Sequence, residues 1–245
     1  MSSDAIRRTP VDESLSPTTY PTTQAEVNKK IGRVYLYTAA AFATSFISAH
    51  LFSLSGLAGK MITLIIGTNA LAVGIGLLAV GIGLLTAVYL TPKENSGLKH
   101  TLFGLFTVYE GLFLSPLVIL NAPAFAAAAI TTAGITGGLG ILALKMQTQF
   151  KRFEKIMFVA LLVITTATFG SLLLPGVAGA FAHQLSLVGG LALFSAYVIY
   201  HTQQIRDHAQ HDNGNFDEIN HSINLYLDAM NIFIRIYEIY DRFKK

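Results

Sequence analysis

The chain contains no cysteine and no tryptophan among its 245 residues. The first absence excludes a disulfide framework, a thiol nucleophile and thiolate metal ligands, and leaves the redox compartment undetermined. The second means that any interfacial aromatic belt rests on the ten tyrosines. Charge is also scarce. Only 13% of residues are Asp, Glu, Lys or Arg, against about 25% in soluble domains. The net charge of +3 is small and scattered, so no nucleic-acid surface is read from it. A Gly-rich phosphate loop ending in Lys-Ser/Thr is missing, and so is a His-Glu-x-x-His pattern. His208 and His211 are three apart, but Asp207 and Asp212 flank them in a polar stretch. A solvated loop explains them better than a metal site. No motif supports an enzyme, and no cofactor is implied.

What the chain has is apolar runs of membrane length. Hydrophobic residues make up 52% of it, and a membrane-spanning helix needs about 20 mostly apolar residues. Six such segments are read at 31–54, 61–90, 101–120, 122–144, 156–174 and 185–200, and a semi-polar seventh at 219–240. The expectation is an all-α polytopic membrane protein with seven transmembrane helices. Residues 1–28 are polar, with Pro10, Pro17 and Pro21, and read as a disordered tail. They carry no apolar signal-peptide core, and Asp4, Asp12 and Glu13 make them a poor organelle leader. Residues 29–245 then form one membrane domain.

The second segment contains a tandem heptapeptide, LAVGIGL, at 71–77 and again at 78–84. Its glycines, and Gly134, Gly137, Gly138 and Gly140 of the fourth segment, read as close-packing faces. A backbone-lined ion site is the alternative at the repeat. Pro116 and Pro123 bracket a turn between the third and fourth helices, and Pro175-Gly176 ends the fifth.

The seventh segment is the most informative. Asp217, His221, Asn224, Asp228, Asn231, Arg235, Glu238 and Arg242 recur at steps of four and three, which places them on one stripe of a helix. A helix lying on the membrane surface would normally carry a Lys/Arg-rich face. This stripe mixes acids, amides and Arg235, so a central helix facing a cavity lined by the other six fits better. Asp228 matters most, because a carboxylate inside a membrane needs a partner, water or a proton. Asn224, Asn231, Arg235 and Glu238 support it along the stripe. Glu110 lies mid-segment in the third helix, where a packing role and a place on an ion path weigh about evenly. His201 ends the sixth segment.

Lys and Arg in short loops set orientation. Arg7, Arg8, Lys29, Lys30, Arg33, Lys93, Lys99, Lys145, Lys151, Arg152, Lys155 and Arg206 collect on one side, against Lys60 on the other. The amino terminus is therefore expected to face cytoplasm or matrix. Seven spans put the carboxyl terminus across the membrane, although the basic ending of Arg242, Lys244 and Lys245 argues for a re-entrant last helix.

The stretch INLYLDAMNIFI at 223–234 resembles the carboxyl-terminal signature of the Bax inhibitor-1 family, also called the transmembrane BAX inhibitor motif family. YHTQ at 200–203 resembles the family's YDTQ, and VYLYTAAAFATSFISAHL at 34–51 its first span. SGLKH, SPLVIL, TAGITGGL, FGSLLLP and GGLALFSAYVIYHTQ are most similar to the growth-hormone-inducible transmembrane protein branch. The resemblance covers about residues 29–240. It implies seven helices with the last one central, pH-sensitive passage of calcium as a leak or in exchange for protons, and suppression of cell death through cell-death regulators. The branch implies the mitochondrial inner membrane, with the endoplasmic reticulum as the alternative. The family's pH sensor is a pair of aspartates. Asp228 matches the second, and His201 stands where the first would be. Like charges can share one proton, whereas a His–Asp pair is an ion pair or a hydrogen bond depending on the imidazole, which titrates near neutrality in general. The expected pH sensor and ion path are thus Asp228, His201 and Glu110, with a weak calcium site at Asp228 and Glu110, since hard cations take oxygen ligands. A non-transporting membrane scaffold is the alternative. Ion selectivity, partners and oligomeric state are not legible.

Overall fold

The computed structural model describes residues 23–67 and 70–242. Most of the expected polar tail, with Arg7 and Arg8, lies outside the described residues, as do Lys244 and Lys245. Every element among the described residues is helical. The order is α1 (Gln24–Leu54), α2 (Leu57–Gly67), α3 (Ala70–Leu90), α4 (Ser96–Lys145), a 3₁₀ turn (Phe150–Phe153), α5 (Glu154–Leu173), α6 (Gly176–Gln184), a π-helical turn (Leu185–Gly189), α7 (Gly190–Gln210) and α8 (Glu218–Arg242).

α1 starts inside the stretch expected as tail, because Thr23 and Glu26 cap it reciprocally. Thr23 accepts the Glu26 N–H while the Glu26 carboxylate accepts the Thr23 N–H, satisfying donors that a bare helix start leaves open. The expected second span corresponds to α2 and α3, which flank residues 68 and 69, outside the described residues. The expected third and fourth spans are joined in α4, whose 50 residues would reach about 75 Å if straight. They do not run straight. Asn121 has non-helical angles (φ −157°, ψ 81°), and its Oδ1 accepts the Ala124 N–H at 3.1 Å, as a helix-capping residue does. Pro123 falls in the first turn after this cap, where its missing N–H costs nothing. Pro116 would leave the Leu112 carbonyl without its helical donor, and the Ser115 hydroxyl donates there instead at 2.6 Å.

The two arms of α4 run in opposite directions along α1. Tyr37 meets His100 and Ser45 donates to the Thr107 carbonyl, so the first arm is parallel to α1. Tyr35 packs on Gly140 while Phe46 meets Phe125, so the second is antiparallel. α8 runs parallel to α1, with Arg33–Glu218 at its start and Phe46–Phe233 deeper. Its far end reaches the α4 turn, where Asn121 Nδ2 donates to Asp241 at 2.9 Å.

Five stretches are long and apolar enough to cross a membrane: Gln24–Leu54, Ala72–Leu90, Ser96–Lys145, Phe150–Ser171 and Gly176–Gln210. Two features separate this from the expected seven. α4 merges two expected spans, and α8 falls short in apolar character because of its polar stripe. The outer faces of α1, α3, α4 and α5 expose large apolar side chains such as Leu36, Ile82, Ile130, Ile156 and Phe158. Such a continuous apolar exterior belongs to a protein solvated by lipid.

The core is built around α8, whose Ile223, Leu225, Tyr226, Ile232 and Phe233 are fully enclosed. Tyr226 is edge-on to Phe42, Phe103 and Phe106. Its hydroxyl meets Ser45 Oγ at 2.7 Å, which removes the penalty of a buried hydroxyl. Most of the expected close-packing glycines do not pack closely. An added Cβ would meet nothing within 4 Å at Gly74, Gly76, Gly83, Gly134, Gly137 or Gly138, because these positions face outward. Within the expected set the close approaches are at Gly81 and Gly140; beyond it they include Gly111, against Ser45 and Ser48.

Candidate functional site

α7 lies antiparallel to α8, and the polar stripe of α8 runs along that seam. The seam closes at its middle, where His201 Nδ1 and Asp228 Oδ2 are 2.6 Å apart. Asp228 is only 5% exposed, so its carboxylate is enclosed by protein rather than turned to lipid. His201 does not end its helix as the sequence suggests. α7 continues to Gln210 and leaves seven residues, 211–217, before α8, in place of the longer loop that the apolar pattern implies. The extension is held in place by side chains. Thr202 bonds Tyr35 at 2.6 Å, and Gln203 donates to the Thr148 carbonyl and accepts from the Phe150 N–H, both at 2.9 Å. Ile205 and Ala209 are fully buried. The His201 ring stacks on Tyr197 and meets Tyr200 edge-on, which fixes the imidazole over Asp228.

Every other member of the stripe also has a partner. Asp217 accepts from Lys99 Nζ at 2.5 Å. Lys99 is 2% exposed and donates also to the Thr91 carbonyl, so this expected loop charge is a buried strut. His221 Nε2 is 3.3 Å from His208 Nδ1. Asn224 Oδ1 accepts from Tyr89 at 2.6 Å. Asn231 Nδ2 donates to the Leu227 carbonyl, and Glu238 lies 3.8 Å from His183. His183 also touches Arg242.

Arg235 occupies the far half of the seam. Its Nε donates to the Ser186 carbonyl of the π turn at 3.1 Å, and Nη1 to the Asn231 carbonyl at 2.9 Å. Its guanidinium lies 4.9 Å from the Phe194 ring centre, a cation–π distance. A Cβ on Gly190 would occupy the same space, so the glycine is what admits the arginine. Neither the π turn nor this slot has a signal in the sequence. An apolar pattern shows that residues 185–200 are helical but not where one residue is inserted.

Glu110 is placed elsewhere. It borders a cavity of about 410 Å³ on the α3 side of α8, with Leu78, Gly81, Phe113, Leu227 and Ile234. Asp228 and His201 do not line it. The structure therefore brings His201 and Asp228 together and leaves Glu110 apart. Among the described residues no three His, Asp or Glu side chains converge in a metal-binding group. Two buried hydroxyls on α4, Thr132 and Thr136, have no hydrogen-bond partner.

Outside the spans, Asp212 anchors the 211–217 loop. Burial pushes its carboxyl up, but Lys30, 2.7 Å away, and the N–H groups of Phe216 and Asn215 outweigh this and hold it below the usual value.

An all-helical, multi-pass membrane protein with a histidine–carboxylate pair enclosed in its core is the class that this fold and site define. The family described as "Inhibitor of apoptosis-promoting Bax1" matches residues 27–245, and the chain belongs to this Bax inhibitor-1 family. It is similar to growth hormone-inducible transmembrane protein of Rattus norvegicus, 33% identical over 151 residues, 59% of this chain and 44% of that protein. An uncharacterized protein of Helicobacter pylori is 32% identical over 154 residues, 60% of this chain and 63% of that protein. Another, of Campylobacter jejuni, is 34% identical over 146 residues, 56% of this chain and 58% of that protein. The matched regions thus span less than two thirds of these relatives.

Proposed function

We propose that this protein crosses an intracellular membrane seven times and passes calcium down its gradient, or exchanges it for protons, under the control of the His201–Asp228 pair. The observation that carries the reading is that pair: a carboxylate enclosed at the middle of a seam, bonded to one titratable side chain on the neighbouring helix. Counting α1, α2–α3, the two arms of α4, α5, α6–α7 and α8 gives the seven crossings. α8 supports its place among them by length, since 25 residues reach about 37 Å. The basic loops orient the amino terminus toward cytoplasm or matrix, and the carboxyl terminus lies opposite.

The seam is held by an ion pair when His201 is protonated and by a weaker neutral-donor hydrogen bond when it is not. Acid therefore holds α7 to α8, and a rise in pH loosens them. The charged and titratable groups facing the pair are Tyr197 and Tyr200 of α7, Tyr89 of α3, His221 of α8 and Glu154 of α5 beyond Tyr200. Asp228 with the amide oxygens of Asn224 and Asn231 offers a cation few ligands, which suits a leak rather than a tight site. Glu110 serves a separate cavity and contributes less. Arg235 is a fixed positive charge on the far side and, partly offset by Glu238, slows cations there.

A second reading, a membrane scaffold that binds cell-death regulators without transport, draws on one observation: no three acidic or histidine side chains converge among the described residues. The branch similarity supports the mitochondrial inner membrane, with the endoplasmic reticulum as the alternative. Calcium flux through the purified protein in liposomes separates the readings, because a scaffold gives none above empty vesicles.

A further inference from the structure

The seam between α7 and α8 holds a second pair in the same register. His208 lies seven residues beyond His201, and His221 seven residues before Asp228. Antiparallel helices then bring 208 opposite 221 as they bring 201 opposite 228. His208 Nδ1 and His221 Nε2 are 3.3 Å apart, with ring centres at 5.1 Å and planes at 59°. Two imidazole nitrogens that each bind a tetrahedral ion at about 2.0–2.1 Å must lie about 3.3–3.4 Å from one another. The observed separation is that bite. The ring of Phe216 packs on His221 at 4.8 Å and limits its rotation. His208 is exposed and borders an open, polar hollow of about 700 Å³ at the end of the bundle, lined also by Gln149, Lys151, Asp207 and His211. A hydrated ion therefore reaches His208, the exposed member of the pair.

We propose that His208 and His221 form a binding site for a borderline divalent transition metal such as zinc, which staples α7 to α8. Imidazole suits zinc, copper and nickel and not calcium or magnesium, so the site is chemically distinct from a calcium path. Two protein ligands leave the remaining positions to water, which makes the site open and exchangeable. The sequence misleads here, because it places His208 with His211 in a solvated loop, whereas His208 lies in the last turn of α7. The helix instead turns His208 toward α8. A metal at this point clamps the same two helices that His201 and Asp228 join, two turns away.

The test uses zinc alone, on the full-length protein in detergent, with a competing chromophoric chelator at pH 7.5. We expect one zinc per chain, a first shell containing two imidazoles by zinc K-edge X-ray absorption on the unmodified protein, and unchanged affinity in His211→Ala. Changes outside the inner shell commonly weaken metal sites about 10–100-fold, so His208→Gln and His221→Gln should each weaken this one at least about tenfold. No saturable binding would overturn the proposal. So would an absorption spectrum with fewer than two imidazoles, or binding lost in His211→Ala and kept in His221→Gln. Both readouts are independent of transport, so their outcome is separate from that of the calcium reading.

Discussion

Replacing His201 with alanine removes the hydrogen-bond partner that the structure gives Asp228 and leaves a carboxylate with 7% of its side chain exposed. Breaking a buried pair by deleting one member typically costs about 3–5 kcal/mol, because the remaining charge is uncompensated. Asp228→Asn is the control. It keeps the shape and a hydrogen-bonding group but removes the charge, so it should cost only about 0.5–1.5 kcal/mol. The two substitutions should also differ in their pH response. A lone buried carboxylate that binds a proton escapes most of its penalty, so the defect of His201→Ala should be largest at pH 8 and shrink toward pH 5. That of Asp228→Asn should instead grow toward pH 5, because the amide cannot form the ion pair that acid gives the unmodified protein. For a chain of this size about 1 kcal/mol corresponds to about 2–4 °C, so His201→Ala should lower Tm by about 6–20 °C at pH 8. With no cysteine or tryptophan, thiol dyes and indole fluorescence report nothing, and far-UV circular dichroism in detergent is the suitable assay. Equal, pH-independent shifts for the two variants would refute the view that the pair compensates a buried charge.

Three further outcomes follow from the geometry. Gly190→Ala drives a methyl group into the Arg235 guanidinium and should destabilise by about 1–3 kcal/mol; combined with Arg235→Ala most of that loss should vanish, as a double-mutant cycle of Tm values would reveal. Asp212 has a depressed folded pKa, so its stabilisation is present above the unfolded value near pH 4 and lost as pH falls through the folded one. Asp212→Asn should therefore cost about 1 kcal/mol or less, equally at pH 6 and pH 8, and thermal melts at both pH values check that this pair is not a neutral-range sensor. His201→Asp restores the family's two carboxylates and should move the pH midpoint of calcium flux, while Glu110→Gln should lower flux less than Asp228→Asn; an unmoved midpoint would make His201 a bystander.

The stripe on α8 was legible because polar residues at steps of four and three admit one geometry, and the family signature added the expectation that the residue at 201 meets Asp228. The pairing itself could not be derived from spacing, since the apolar pattern stops near Tyr200 while the helix continues to Gln210. Thr202 and Gln203 are polar, yet they satisfy the neighbouring backbone and Tyr35, which hydropathy does not register. The turn at Asn121 was legible from its two prolines. The slot for Arg235 was not, because it depends on a π turn and a glycine on another helix. The glycine-rich faces misled, since small residues fit a helix contact or a lipid-facing surface equally well.

The central claim is tested most directly by calcium flux through purified protein in liposomes between pH 6 and 8, about one unit either side of neutrality, comparing the unmodified chain with Asp228→Asn. The account predicts flux that rises with pH in the unmodified protein, and lower or pH-independent flux in the variant. Identical flux from the two proteins at every pH would contradict it and leave Asp228 a structural residue.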